Sequence, residues 1–254
     1  MITKVDINND SVVGRLGNKM FQIAAGWSMA KQIGMDFMIP NWKYAYVFPN
    51  VKIGTITTYT ESYTEPSFTY TKPPLEYFHG VVQLNGYFQS DKYFTSKNDI
   101  QELFKFSEYS RSRSEVWEES QNIKLSEYTS IHIRRGDYVN LPNYYADLPT
   151  SDYYKNAIEE SGNKKFLIFS DDVSFCIDYF SQFPEYEFRF ASGNSESSDL
   201  HLMTMCKSNI IANSSFSWWG AYLNKNGGRV IMPNNWFVCG LDSNDLYVNG
   251  WDKI

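Results

Sequence analysis

The second half of the chain repeats one pattern: a short β-branched or aromatic run ends on polar residues and gives way to residues apolar at helical spacing. Ser130-Ile131-His132-Ile133 runs into Arg134-Arg135-Gly136-Asp137, and Phe166-Leu167-Ile168-Phe169 runs into Ser170-Asp171-Asp172. Cys176, Ile177, Phe180 and Phe183 then keep the helical period until Pro184, and Phe188 to Ala191 reads as the next strand. Ser197-Ser198-Asp199 offer N-cap residues to a buried helix carrying Leu200, Leu202, Met203, Met205 and Cys206. Asn209 to Ala212 reads as a strand, Ser214 to Ser217 as a turn, Trp218 to Leu223 as a helix stopped by Gly227-Gly228, and Arg229 to Pro233 as a further strand. Strands separated by helices of this length pair in parallel with helices on both faces, the doubly wound α/β arrangement. Such sheets bind ligands outside the carboxyl ends of their strands, where these polar clusters fall.

The first half is less regular. Gly14-Arg15-Leu16-Gly17-Asn18 is a glycine-punctuated loop before a helix whose apolar positions Met20, Ile23, Ala24, Trp27 and Ala30 keep their period until Gly34. Phe37-Met38-Ile39 reads as a strand, and from Asn41 to about Tyr93 the Tyr, Thr and Pro content predicts a loop-rich insert. A lobe boundary is expected in the polar stretch between Glu108 and Lys124, dividing the chain into 1–115 and 116–254.

Composition removes several function classes. A net charge of −6 argues against a nucleic-acid surface, which needs clustered Lys and Arg. No apolar run reaches the roughly 20 residues that span a bilayer, and the start lacks the apolar core of a signal peptide. A cytoplasmic protein without a transmembrane segment is expected. His79, His132 and His201 are scattered, and Cys176, Cys206 and Cys239 match no metal or redox spacing, so no metal site is expected and the thiols read as buried. The aromatic fraction of 17% keeps carbohydrate among the possible ligands, because a ring bearing a hydroxyl suits the apolar face and polar rim of a sugar.

His132-Ile133-Arg134-Arg135-Gly136-Asp137-Tyr138 carries the strongest chemical signal. Two arginines at a strand end, followed by a glycine, can present a guanidinium fork to a diphosphate. Asp137 would share that pocket, either orienting an arginine or accepting a proton. A salt-bridged surface loop is the bland alternative.

Three blocks together resemble the inverting α-1,2-fucosyltransferases, and more loosely the α-1,6- and protein O-fucosyltransferases. They are Gly14 to Gln22, His132 to Tyr138, and the stretch from Asp199 through His201-Leu202-Met203 to Asn213-Ser214-Ser215-Phe216-Ser217-Trp218-Trp219-Gly220. The resemblance implies a GT-B-like α/β enzyme with two Rossmann-type lobes, an N-terminal acceptor-side lobe, a C-terminal donor-binding lobe and the donor in the cleft, although the N-terminal lobe of this chain is short for a complete Rossmann domain. It implies GDP-fucose as donor substrate, no cofactor or metal, and transfer to the 2-hydroxyl of a galactose-terminated oligosaccharide. The lack of any D-x-D pair agrees with a metal-free site in which arginine meets the leaving phosphate.

Carried onto this chain, the resemblance makes Arg134 and Arg135 catalytic, with Asp137 as the candidate base or as the group that only holds Arg134. Asp199 becomes the reader of guanine, where the residues alone suggest an N-cap. Ser214, Ser215, Phe216 and Ser217 touch the donor phosphates, a role compatible with a simple helix cap. His132 lies near the base or ribose, or is a satisfied core histidine. Asn18 and Lys19 reach across to the donor or the reacting centre, although family members commonly carry Gln at the position of Lys19. Asp171 and Asp172 are donor contacts or structural caps. The same scaffold could serve another nucleotide sugar, or a glycan-binding protein without turnover, although the intact arginine pair counts against the latter.

Overall fold

Each β-branched run can bury both faces only if helices cover both, and the chain obliges. The computed structural model describes residues 1–254, the side chain of Val12 excepted. In chain order the elements are β1 (Ile2–Thr3), α1 (Asp10–Val13), α2 (Leu16–Gln32), β2 (Glu61–Thr64), β3 (Val82–Asn85), α3 (Lys97–Leu103) and α4 (Glu108–Ser120). There follow β4 (Thr129–Ile133), α5 (Tyr153–Ser161), β5 (Lys165–Ser170), α6 (Val173–Phe180), β6 (Glu187–Phe190), α7 (Glu196–Met205), β7 (Ser208–Ile210), α8 (Ser215–Tyr222), β8 (Val230–Met232) and β9 (Asp252–Lys253). Two compact units result: residues 1–108 with 242–248, and residues 109–241 with 249–254.

The second unit holds a six-stranded sheet in the order β6-β5-β4-β7-β8-β9, with every pair parallel. Side chains alternate across β5, so Phe166 and Ile168 join one apolar cluster while Leu167 and Phe169 join another. The first cluster takes Tyr154, Ala157 and Ile158 from α5 and Cys176 and Phe180 from α6; the second takes Leu202 and Met203 from α7 and Cys206 just past its end. The doubly wound expectation therefore holds, with helices on both faces.

Several local expectations change. In α6, Cys176 and Phe180 are buried but Ile177 is 51% exposed, because only the i, i+4 pair of that period faces the sheet. Ser195, not Asp199, caps α7: its side chain accepts from the Ser198 N–H, which leaves Asp199 in the first turn. The predicted turn at Ser214 to Ser217 is the cap and first turn of α8, with Ser214 accepting from the Phe216 N–H. Of the three thiols, Cys239 is exposed.

The first unit carries a three-stranded parallel sheet, β1-β3-β2, against the mostly buried α2. Phe37 and Ile39 form single bridges, to Ile2 and Ile53, rather than a strand. The segment expected to be loop-rich contains β2 and β3. Neither announces itself: β2 is Glu-Ser-Tyr-Thr, and β3 buries Gln83, whose Oε1 accepts from the Val5 N–H at 2.8 Å. Leu16, Gly17 and Asn18 belong to α2, not to the loop before it. Among the described residues, no helix is long and apolar enough to cross a membrane.

Gly220 shows how closely α7 and α8 pack. A Cβ there would stand 2.8 Å from Met203 Sδ and 2.9 Å from Met203 Cβ. Glycine costs a helix interior about 1 kcal/mol against alanine, so the residue marks a close approach rather than flexibility. Gly220→Val is expected to lower stability by about 1–3 kcal/mol through overpacking. Urea denaturation checks this, and an unchanged midpoint would show that the two helices have room to spare.

Candidate functional site

In the second unit, β4 is the strand from which the winding turns both ways: β5 and β6 lie on one side, β7, β8 and β9 on the other. The loops leaving the carboxyl ends of β4 and β7 thus diverge at the switch point, where open α/β sheets form their ligand crevice. The loop after β4 carries the two arginines, and the loop after β7 leads into Ser214.

Arg134 is pinned from two sides. One Nη donates to Asp137 and the other lies 2.5 Å from Asp171 Oδ2, while its guanidinium sits 5.5 Å from the centre of the Tyr138 ring. Asp171 also accepts the backbone N–H of Arg135 at 2.9 Å. A Cβ on Gly136 would come within 2.4 Å of Asp171 Oδ2, so only glycine lets that carboxylate close on the turn. Arg135 stacks on Phe175 at 3.8 Å, with its Nε 3.7 Å from Asp172 and buried without a hydrogen-bond partner. Asp172 itself caps α6, accepting from the Phe175 N–H at 3.1 Å. Five of the expected site residues, Arg134, Arg135, Asp137, Asp171 and Asp172, therefore form one charged cluster.

His132 lies beside it on β4, buried, with its ring 5.5 Å from that of Phe216 and its Nδ1 without a partner. Burial, and then the charge of Arg134, lower its pKa to about 3, so the imidazole is neutral at neutral pH. Phe216 links this strand to the first turn of α8, where Ser217 Oγ accepts from the Ala212 N–H at 3.2 Å. Asn213, which precedes the Ser214 cap, donates to the carbonyls of Ala146 and Trp236, and its own carbonyl accepts from the Tyr138 hydroxyl.

Asp199 stands apart from that cluster, in the first turn of α7. Burial raises its pKa to about 6, although a hydrogen bond from Asn194 Nδ2 at 3.0 Å works the other way. Two residues later, His201 Nδ1 lies 2.8 Å from Ser114 Oγ and ties α7 to α4.

Asn18 and Lys19 belong to the first unit. Asn18 Oδ1 accepts from Gln89 Nε2 at 2.8 Å, and Gly14, at φ +76°, lies close enough that a Cβ would strike Asn18 Nδ2. Lys19 is buried, and its ammonium is committed to Asp10 at 2.5 Å. The sequence carried no sign of the Asp10 partner, which the fold brings round from α1 to α2, nor of the Asp171–Gly136 approach, which joins the ends of two different strands.

Residues 59–254 match the family model described as Glycosyl transferase family 11. Over 249 residues the chain is 31% identical to an alpha-1,2-colitosyltransferase of Escherichia coli, covering 92% of this chain and 84% of that one. It is 22% identical over 251 residues to galactoside alpha-(1,2)-fucosyltransferase 2 of Oryctolagus cuniculus, covering 88% of this chain and 68% of the relative. Among solved structures, POFUT1 in complex with GDP-fucose aligns with a TM-score of 0.57 at 11% identity, over 90% of this chain and 95% of that one. That likeness shows a shared α/β fold with parallel sheets, as expected for a GT-B-like protein. The family match takes in the whole second sheet and the arginine turn, and with a relative 31% identical along nearly the entire chain it makes this protein a member of glycosyl transferase family 11.

Proposed function

We propose that the protein transfers L-fucose from GDP-fucose, with inversion and without a metal, to the 2-hydroxyl of a terminal galactoside. The observation that carries this is the pinned arginine pair at the switch point of the second sheet. A guanidinium fixed before the substrate arrives stabilises charge developing on the departing phosphate without reorganising first. Arg134 spends one N–H on each flanking carboxylate and keeps others for the diphosphate. Its contact with Asp137 supports an orienting role for that carboxylate. The α8 N-terminus beside His132 supplies backbone N–H groups of the kind that anions seek.

A second donor is favoured by the E. coli relative, whose name is alpha-1,2-colitosyltransferase. Colitose is fucose without its 3-hydroxyl, so a pocket that tolerates the loss accepts both. Incubating the protein with GDP-fucose, GDP-colitose or UDP-galactose and a galactoside, and measuring released nucleotide and product linkage, separates these readings.

Arg134→Ala and Arg135→Ala are each expected to lower turnover by about 100-fold or more, the scale of losing one oxyanion-type donor. Lysine should restore only part, since a point charge does not reproduce a fork. Near-normal rates in both alanine variants would overturn the role. Activity is expected to survive EDTA without added Mg²⁺ or Mn²⁺; a loss restored by either cation would remove the metal-free mechanism.

If Asp199 reads guanine, its charged form accepts the N1–H and N2–H donors, so binding must expel the proton that burial retains. GDP affinity should then fall as pH drops below about 6. Asp199→Asn should bind GDP more weakly and lose that component, the comparison cancelling the titration of the phosphate itself. Calorimetry between pH 5 and 8 that gives parallel curves for both proteins would leave Asp199 as a plain first-turn residue.

A further inference from the structure

The loop that follows the arginine turn ends in a rigid aromatic wall. Tyr138, under Arg134, stacks on Tyr145 with ring centres 3.6 Å apart and planes 5° apart. Tyr144 meets Tyr145 edge-on at 4.8 Å and Phe237 at 5.3 Å. Backbone bonds hold the arrangement: Tyr145 bridges Phe237 in antiparallel fashion, and the Val238 N–H donates to the Tyr144 carbonyl at 2.9 Å. The side-chain amide of Asn213 clamps both sides, through the carbonyls of Ala146 and Trp236. Despite this support Tyr144 is 40% exposed, with Leu141 and Val238 exposed beside it.

We propose that Tyr144 is the acceptor platform: a pyranose ring of the acceptor glycan lies on its exposed ring, positioned for transfer at the neighbouring arginine turn. This rests on the transferase reading above and adds the subsite that reading leaves unassigned. Three features point to a sugar. An aromatic face, negative in its quadrupole, attracts the C–H face of a pyranose, and the phenol offers a polar tip to the hydroxyl rim. The ring is held by its neighbours, so little side-chain entropy is lost on binding. The wall is also continuous with the charged cluster, two ring contacts from the residue over which Arg134 sits.

The test uses full-length protein with Tyr144→Ala, Tyr144→Phe and wild type, assayed for transfer to a galactose-terminated oligosaccharide across acceptor concentrations. Tyr144→Ala is expected to raise the acceptor KM about tenfold or more, while GDP affinity by calorimetry and thermal unfolding stay as in wild type. Tyr144→Phe should keep most of the acceptor affinity, because the ring face remains. An unchanged acceptor KM in Tyr144→Ala overturns the platform. So does a wild-type dimer that Tyr144→Ala disperses with the acceptor KM unaltered, which would make the patch a contact between two copies. A wild type that transfers to no galactoside, yet whose binding to the same glycan is lost in Tyr144→Ala, leaves the platform standing and removes the transferase reading instead.

Discussion

All five residues of β4 are buried, and the strand is hydrogen-bonded along both edges, to β5 and to β7. A strand in that position tolerates no slip, because a shift of one residue would turn Ile131 and Ile133 out of the cluster they share with α5 and α6. The register therefore fixes where β4 ends, and with it where Arg134 begins. Position, rather than intrinsic affinity, is what the sheet contributes to the charged turn. The register of β5 matters for the same reason: Ile133 pairs with Ser170, which delivers Asp171 next to the arginines.

The cluster at that turn holds two guanidinium groups and three carboxylates. Partly exposed ion pairs of this kind contribute little to stability, about 0–1 kcal/mol each, so their value lies in geometry. Two carboxylates fix the rotamer of Arg134 more firmly than one could, and Asp171 binds backbone as well as side chain. The neutral state of His132 fits this economy, since a further cation buried beside Arg134 would have no partner.

Much of this was legible in the sequence, and the parts that were not share a physical cause. The second sheet could be read because its strands, such as Phe166 to Phe169, are apolar on both faces and end abruptly on charge. The arginine turn was legible from residue type alone. In the first unit, β2 presents polar residues and β3 buries a glutamine, so neither has the contrast that periodicity needs. Asp199 was misread as a cap because Ser195, four residues earlier, already starts the helix by accepting from the Ser198 N–H. Lys19 looked available in the sequence, and only the fold shows Asp10 holding it. The aromatic wall was invisible for a different reason: Tyr145 and Phe237 are neighbours only because the loops after β4 and β8 meet.

The backbone does not visit the two units once each. It leaves the first after residue 108, returns to it for 242–248, and leaves again so that β9 can complete the second sheet beside β8. Within that return, Asp245 takes the Tyr70 N–H at 2.5 Å and pairs with Lys92. Neither unit is therefore whole without residues 242–254. A cut near residue 241 would therefore remove the partner of Tyr70 and Lys92 from one unit and the edge strand β9 from the other, so that one break in the backbone would loosen both.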